Sequence, residues 1–299
     1  SELWQPPKGE TEQVMTRVVP KHLAGVAVGL GCWGIYKYTQ HVPDTVMSAR
    51  MGRIRQGWKS QDKIDSELPS PGDAQKMQLY VKRKLLSSGE VKEVVDFERQ
   101  HKGSCGHTRR DAQGFRKMDS TWQTSYLHTN HLMQKYKPEI VDKLVAAAFE
   151  ADLQQGWGLL NGDKDDFRIR VIELHSVGVD GALADEKHFD QGSLVTVDVM
   201  MCPATQFEGG QLSTLETDGQ LAQHQFDLGD AVVFPSHKYH CVLPVEQGSR
   251  SVLVMEIWRG EERDCAHRCL QHIGSCNHSL AQNRMETFFL SAMPEVDPW

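Results

Sequence analysis

The chain has 299 residues, of which 39% are hydrophobic and 24% charged, with a mean hydropathy of −0.48 and a formal net charge of −7. This composition excludes a polytopic membrane protein and a wholly disordered chain, and the negative charge gives no reason to expect nucleic acid as a partner. The charge is uneven, because residues 1–60 carry eight Lys or Arg against four Asp or Glu, a balance of +4 that leaves −11 for residues 61–299. We therefore expect an N-terminal piece, residues 1–71, and a larger domain, residues 72–299.

One apolar run, residues 22–36, lies between two lysines in the N-terminal piece. As a helix its fifteen residues rise about 22 Å, less than the hydrocarbon core of about 30 Å, but the run reaches a marginal span when it is extended back to residue 18. Gly25 and Gly29 allow another helix to approach closely. We expect a single transmembrane helix at about 18–37, followed by a polar connector at 39–71. A glycine-rich core helix of a soluble domain and a cleaved targeting peptide are the alternatives.

The following elements are expected in two groups. Apolar residues recur at helical spacing from Asp73 to Phe97, a polar loop follows at 103–114, and a second helix begins at Pro138, a favoured first-turn residue. From residue 166 the pattern alternates instead, and β-like runs separated by turn residues occur at 167–172, 194–200, 211–216, 221–228, 231–235, 240–245 and 250–258. This order predicts an α+β domain in which the strands form a closed double-sheet structure supported by helices.

Two histidines and one aspartate in the β region form a candidate metal site. His188 and Asp190 are two residues apart at the expected start of a strand, where alternate residues project to the same side. With His240 they supply two imidazoles and one carboxylate, a ligand set that leaves open positions on Fe(II); His237 is the rival third ligand. Arg250 begins the last long strand, and its guanidinium can hold a carboxylate through two parallel hydrogen bonds.

Five motifs follow one another at consistent spacing: HFD at 188–190, FEGGQL at 207–212, GDAVVFPS at 229–236, His240 with a Pro-Val pair from 244, and GSR at 248–250. Together they resemble the 2-oxoglutarate/Fe(II)-dependent dioxygenase superfamily and, within it, the prolyl-4-hydroxylase-like branch. The resemblance covers about residues 166–259, about a third of the chain.

The resemblance implies a double-stranded β-helix, or jelly roll, with supporting helices. It also implies Fe(II) held by His188, Asp190 and His240, and the distal carboxylate of 2-oxoglutarate held by Arg250. In this family the co-substrate is decarboxylated to succinate while O2 is used to hydroxylate a C–H bond.

The chain departs from the family's pattern at Asp185, where many members of the branch carry a tyrosine three residues before the first histidine. We expect the co-substrate pocket to differ there. Ser251 and Thr196 are candidates for an additional hydrogen bond to the co-substrate. The remaining histidines in this part of the chain are expected to be structural or surface groups: His128, His131, His175 and His224.

Three cysteines and three histidines lie within fourteen residues near the C-terminus: Cys265, His267, Cys269, His272, Cys276 and His278. Such a run could hold zinc. It lacks paired C-x-x-C spacing, and the alternative is a polar helix on which Cys265 and Cys269 share one face. Seven cysteines are too few for a disulfide scaffold, and an odd number leaves at least one thiol unpaired, which favours a reducing compartment.

These observations predict a membrane-tethered hydroxylase acting on an unidentified substrate. The alternative is a non-catalytic accessory subunit of a membrane complex, respiratory for example, which has retained the oxygenase fold and contacts other subunits through residues 1–70. A soluble oxygenase whose N-terminal run is buried is a third hypothesis. Five lysines or arginines follow the apolar run and three precede it, which disfavours a lumenal domain. Because the mitochondrial matrix supplies 2-oxoglutarate, we expect a single-pass protein of the mitochondrial inner membrane, with the ER as the alternative.

Overall fold

The computed structural model describes residues 68–274, 276 and 278–292. The membrane segment predicted at about 18–37 and almost all of the connector predicted at 39–71 lie outside these residues. Within the described part of the chain, no helix combines the length and the apolar character that crossing a membrane requires.

The described residues form five α-helices and thirteen β-strands. The helices are α1 (Pro71–Ala74), α2 (Ser88–His101), α3 (Leu132–Tyr136), α4 (Pro138–Gln155) and α5 (Leu280–Ala292). The strands are β1 (Tyr80–Lys82), β2 (Gly106–Arg110), β3 (Trp122–Tyr126), β4 (Arg168–Val177), β5 (Leu183–His188), β6 (Val195–Met200), β7 (Phe207–Gly209), β8 (Leu212–Leu215), β9 (Leu221–His224), β10 (Ala231–Pro235), β11 (His240–Val242), β12 (Val245–Gly248) and β13 (Arg250–Trp258).

The strands pair antiparallel in two main sheets. A seven-stranded sheet has the order β1-β10-β6-β13-β4-β3-β2, a four-stranded sheet has the order β5-β11-β8-β9, and β12 pairs with β7. The prediction of an α+β domain is confirmed, its sheets are antiparallel, and the arrangement is consistent with a jelly roll. The polar loop predicted at 103–114 is wrong in part, because residues 106–110 form the edge strand β2, whose backbone pairs with β3.

The predicted continuous helix from Asp73 is also wrong over residues 75–87. Tyr80 pairs with Val233 at the edge of the seven-stranded sheet, and Lys84 turns the chain with a φ of 53°. Helix α2 begins only after Ser87, whose hydroxyl accepts a hydrogen bond from the Glu90 amide while the Glu90 carboxylate accepts one from the Ser87 amide. This reciprocal cap satisfies two amides at the helix start and fixes its first residue. The second predicted helix, from Pro138, is confirmed as α4.

The seven-stranded sheet has different surroundings on its two faces, as strand β13 shows. Leu253 and Met255 belong to an apolar core that also contains Leu144 of α4, so this face is covered by helices. Val252 and Val254, which point the other way because side chains alternate along a strand, line a cavity instead. A second apolar cluster joins strands of both main sheets beside that cavity: Met200, Cys202, Leu212, Phe226, Val232, Phe234 and Val242. The functional candidates therefore lie between the two main sheets.

Candidate metal centre and its cavity

The three predicted metal ligands converge. His188 Nε2 lies 3.5 Å from one carboxylate oxygen of Asp190, and His240 Nε2 lies 3.9 Å from the other. The two imidazole rings are nearly perpendicular, with centroids 5.0 Å apart. One ligand atom from each of the three residues lies within 4.8 Å of those of the other two, a separation that one ion can bridge.

Strand pairing creates this proximity. His240 is the first residue of β11 and pairs directly with His188, the last residue of β5, so their side chains meet across the sheet. The expectation that the HFD motif opens a strand is wrong: His188 ends one, and Asp190 follows in a turn where its amide donates to the Ser236 carbonyl at 2.8 Å. The turn redirects the carboxylate toward both rings.

Hydrogen bonds orient the ligands. Nδ1 of His240 lies 2.9 Å from the Lys238 carbonyl, so this nitrogen carries the proton and Nε2 is left to bind a metal. Burial lowers the pKa of His240 and favours the neutral, ligating imidazole. Thr196 donates to Asp190 Oδ2 at 2.8 Å and also lies 2.8 Å from the Ser236 hydroxyl. The proposed co-substrate role of Thr196 is therefore replaced by a role in orienting Asp190.

Arg268 contacts Asp190, which the sequence did not predict. Its guanidinium donates to Asp190 Oδ1 at 2.8 Å and forms two hydrogen bonds with Glu173, at 2.8 and 3.1 Å. Burial by itself would raise the pKa of Asp190, but His240, His188 and Arg268 hold that pKa well below its ordinary range. Asp190 is therefore ionised, as a metal ligand must be.

Arg250 is the second functional candidate. Its side chain is 2% exposed, and its Nε and Nη1 atoms have no hydrogen-bond partner among the described residues. Burial lowers the pKa of Arg250, with Asp198 opposing this effect. Burial and the neighbouring Asp190 raise the pKa of Asp198 to about 7. A buried guanidinium with two unused donors is suited to a carboxylate ligand.

One cavity of about 340 Å³ joins these groups. His188, Asp190 and His240 line it together with Arg250 and Asp198. Its further walls come from both main sheets and from the 110–114 turn, and include Trp122, Thr124, Tyr126, Glu173, His175, Leu212, Val242 and Arg268. Asp185, which stands at the position of the family's tyrosine, also lines it. The volume suits a small organic ligand.

The rival metal ligand His237 and the co-substrate candidate Ser251 form hydrogen bonds with other groups. His237 Nδ1 lies 2.9 Å from the Pro69 carbonyl and its Nε2 accepts from the Gly192 amide at 3.3 Å, so His237 does not join the triad. Ser251 donates to the His175 carbonyl at 3.0 Å. His175 lines the cavity but contacts Trp122, Thr124 and Glu173, which fits its predicted structural role.

The donor set fits Fe(II). Two imidazoles and one carboxylate leave the remaining coordination positions of such an ion open to a second ligand and O2. The unpartnered guanidinium of Arg250 in the same cavity fits an anionic co-substrate such as 2-oxoglutarate. The ligand atoms and the unpartnered guanidinium in one cavity are therefore the groups that a non-haem iron oxygenase centre needs.

The chain is similar to known proteins at the level of solved structures. No protein-family model and no curated protein matches the chain. Similar solved structures include a 2OG-Fe(II) oxygenase family oxidoreductase from Burkholderia pseudomallei, with 14% identity and a TM-score of 0.43, covering 66% of this chain and 89% of that one. A prolyl-4-hydroxylase from Pseudomonas putida has 17% identity and a TM-score of 0.44, covering 66% and 97%.

A third similar structure is HygX from Streptomyces hygroscopicus, solved with nickel and 2-oxoglutarate bound, with 12% identity and a TM-score of 0.39, covering 68% of this chain and 93% of that one. The predicted resemblance to 2-oxoglutarate/Fe(II) oxygenases, prolyl-4-hydroxylases among them, is thus confirmed as a resemblance.

Proposed function

We propose that the described domain is an Fe(II)- and 2-oxoglutarate-dependent dioxygenase. The observation that carries the proposal is the convergence of His188, Asp190 and His240 on a cavity that also holds the unpartnered guanidinium of Arg250. The combination supplies a metal position and an anion position in one enclosed space. Antiparallel sheets on both sides of the cavity support the jelly roll that such a site requires.

Each side chain has a separate task in this proposal. The triad holds Fe(II), and Arg250 binds the distal carboxylate of 2-oxoglutarate. When bound, the metal and co-substrate supply the oxidative chemistry that couples decarboxylation to hydroxylation of a C–H bond. Thr196 and Arg268 keep the Asp190 carboxylate oriented. Val252 and Val254 form an apolar part of the cavity wall, which limits the entry of water.

The test is formation of succinate and CO2 from 2-oxoglutarate by the full chain, measured with Fe(II), ascorbate and O2. Asp190→Ala and His240→Ala should lower both Fe(II) binding and turnover to background. His131→Gln is the matched control, because His131 is an exposed histidine outside the cavity and should leave both unchanged. Absence of Fe(II) binding and of succinate with the wild-type chain would refute the proposal.

We also propose a second candidate, the non-catalytic accessory subunit, because one contact favours it. Arg268 donates directly to Asp190, so the charge of this carboxylate is balanced even without a metal ion. The absence of the family's tyrosine, with Asp185 in its place, is a further support. This candidate predicts that the wild-type chain co-purifies with other subunits and retains no Fe(II), which distinguishes it from the enzyme in the same metal analysis.

Membrane attachment remains a proposal from the sequence. We propose that residues at about 18–37 tether the domain to a membrane, the mitochondrial inner membrane being favoured over the ER, and that residues 1–70 contact partner subunits. The apolar run and the excess of basic residues after it support this proposal. Resistance of the full chain to carbonate extraction would support it, and release into the supernatant would favour the soluble alternative.

A further inference from the structure

A second group of metal-binding side chains lies in the segment between β13 and α5. One ligand atom from each of Cys265, His267, Cys269 and Cys276 lies within 4.8 Å of the others. His267 Nε2 is 3.1 Å from Cys276 Sγ. The six cysteines that the structure describes are all free thiols, so no disulfide holds this group together. We call these four residues the Cys3His cluster.

The spacing of the donor atoms approaches that of a tetrahedral zinc site. Zn–S bonds of about 2.3 Å and Zn–N bonds of about 2.0 to 2.1 Å place the ligand atoms about 3.5 to 3.8 Å from one another. The ligand atoms of the Cys3His cluster lie within 4.8 Å of one another, so no separation has to shorten by more than about 1.3 Å to bind an ion. Three thiolates and one imidazole form a closed, soft donor set, which is typical of structural zinc rather than of magnesium, calcium or an open catalytic site.

The surroundings of the cluster suit thiolates. Cys265 and Cys269 are buried, at 6% and 2% exposure, and the amide of His278 lies 3.4 Å from Cys276 Sγ, where it can donate to the sulfur. Several buried sulfurs in contact are costly when they are charged, and a dication removes that cost.

The segment that carries the cluster has no regular structure, and yet several of its residues are buried, among them Cys265, Ala266, Cys269 and His272. Its described residues between 259 and 279 form neither helix nor strand, so the helix considered for Cys265 and Cys269 is wrong. Loops longer than about 12 to 15 residues without secondary structure are uncommon in compact domains. Here the packing is close: a Cβ on Gly106 would lie 2.3 Å from the Ala266 carbonyl oxygen. A metal ion that cross-links this irregular segment explains how its backbone is held so close to Gly106 of β2.

The cluster also holds a functional side chain. In the sequence, Arg268 stands between His267 and Cys269, two of the proposed ligands. The backbone carbonyls of both neighbours have hydrogen-bond partners: His267 O lies 3.3 Å from His128 Nε2, and Cys269 O accepts from Arg170 Nε at 2.7 Å. From this position Arg268 reaches Asp190 and Glu173. The cluster is therefore placed to set the position of the guanidinium that contacts an iron ligand.

We propose that the Cys3His cluster binds one zinc ion, and that this zinc holds Arg268 against Asp190. The zinc site itself is independent of the function proposed above. The effect on Asp190 rests on that function, because it concerns the iron position.

The first test is metal analysis of the full chain purified without chelators. The wild type should contain about one zinc ion per chain, and Cys276→Ser should reduce the zinc content more than about tenfold. Cys202→Ser is the matched control: Cys202 is buried and free but lies outside the cluster, and its sulfur contacts the Ser251 amide and carbonyl, which a serine hydroxyl can also do. Its zinc content should be unchanged. Wild type without zinc, or equal loss in both variants, would overturn the proposal.

A second measurement does not depend on the folding of a variant. Co(II) replacing zinc in the wild-type chain should give the intense thiolate-to-cobalt charge-transfer absorption and the visible bands of tetrahedral coordination. Asp190→Ala, which removes an iron ligand, should leave these bands unchanged. Octahedral cobalt bands without charge transfer would contradict a Cys3His site.

The link to Asp190 has its own readout. Cys276→Ser and Arg268→Met should each weaken Fe(II) binding by about 10- to 100-fold, the range seen when groups that support metal ligands are removed. Unchanged Fe(II) affinity in Cys276→Ser would overturn the link. If the wild type binds zinc but no Fe(II), the proposed dioxygenase function and this link both fail, whereas the zinc site stands.

Discussion

Arg250 shows at the scale of a single residue why the cavity is a binding site. A buried donor without a partner costs about 1 to 3 kcal/mol, and more when it is charged. Arg250 has two such atoms at 2% exposure, and they belong to a side chain that lines the cavity. A carboxylate bound in the cavity would accept hydrogen bonds from these two donors and remove this free-energy cost. The relief of the cost on binding increases the affinity of the cavity for an anion.

We expect Arg250→Leu to weaken 2-oxoglutarate binding by about 10- to 100-fold, because it removes charge-assisted hydrogen bonds of about 1.5 to 3 kcal/mol. Arg250→Lys should lie between the wild type and Arg250→Leu, since it keeps the charge and loses the paired geometry. Anaerobic titration of the Fe(II)-loaded chain, followed by the charge-transfer absorption of the chelated co-substrate, measures the affinity. Equal affinities in all three proteins would show that the carboxylate binds elsewhere.

Asp198 gives the cavity a pH dependence. Burial, followed by the negative charge of Asp190, raises the pKa of Asp198 to about 7. Below this pH the carboxyl is neutral, and above it a negative charge faces an anionic co-substrate. The affinity for 2-oxoglutarate should therefore fall about 3- to 10-fold as the pH rises from about 6 to about 8. In Asp198→Asn this fall should disappear, and a variant that kept the full pH dependence would assign it to another group.

At the scale of an element, helix α2 depends on the carboxylate of Glu90. That carboxylate accepts hydrogen bonds from the Ser87 amide at 2.9 Å and from Lys143 of α4 at 2.6 Å. Lys143 and Ser87 lower the pKa of Glu90 from 4.5 to about 2. The charged form is thus bound more favourably in the folded state than in the unfolded state, and it ties the start of α2 to α4.

Glu90→Gln should lower the free energy of unfolding by about 0.5 to 1 kcal/mol near neutral pH, because glutamine can keep the cap but loses the charge. The folded-state pKa is depressed, so this contribution is fully present above about pH 4.5 and is lost as the pH falls toward about 2. Urea unfolding at about pH 7 and about pH 3.5 measures the difference between the two proteins, which should shrink at the lower pH.

Glu93→Gln on the same helix is the control for this prediction. Glu93 pairs with Lys137 at a half-exposed position, where an ion pair contributes little. Its substitution should change the stability by less than about 0.5 kcal/mol at either pH. A pH-independent difference for Glu90→Gln would mean that the charge does not matter.

Some helices and strands could be predicted from sequence patterns alone, and others could not. Helix α4 follows from Pro138 and its apolar stripe, and β13 follows from a long alternating run. Strand β1 could not be predicted, because three residues of mixed polarity form a strand only through pairing with β10. Strand β2 is polar throughout and takes its conformation from β3. Elements with a buried face of their own are predictable, whereas edge strands depend on their neighbours.

At the scale of the whole molecule, the proximity of His188, Asp190 and His240 could be predicted because the order of the motifs indicated it. His188 and His240 are far apart in sequence, and the β5–β11 register alone brings them together. The contact of Arg268 with Asp190 could not be predicted from the sequence, because Arg268 lies in a segment without regular secondary structure. The only signal was the position of Arg268 inside the Cys/His run. Fixing such a segment requires contacts that no periodicity encodes.

Five charged side chains connect the two candidate metal positions: Asp190, Glu173, Glu256, Arg170 and Arg268. Arg268 ion-pairs with all three carboxylates, and Arg170 pairs with Glu256 at 3.0 Å. Removing one partner from such a buried group leaves uncompensated charge. The arrangement of the iron position is therefore a property of both sheets and of the C-terminal segment together.

Anomalous diffraction at the iron absorption edge would show directly whether the triad binds iron. Crystals of the full chain would be grown without oxygen in the presence of Fe(II) and 2-oxoglutarate. We expect one iron peak between His188, Asp190 and His240, with electron density for a carboxylate against Arg250. An empty triad, or iron bound only at the Cys3His cluster, would contradict it.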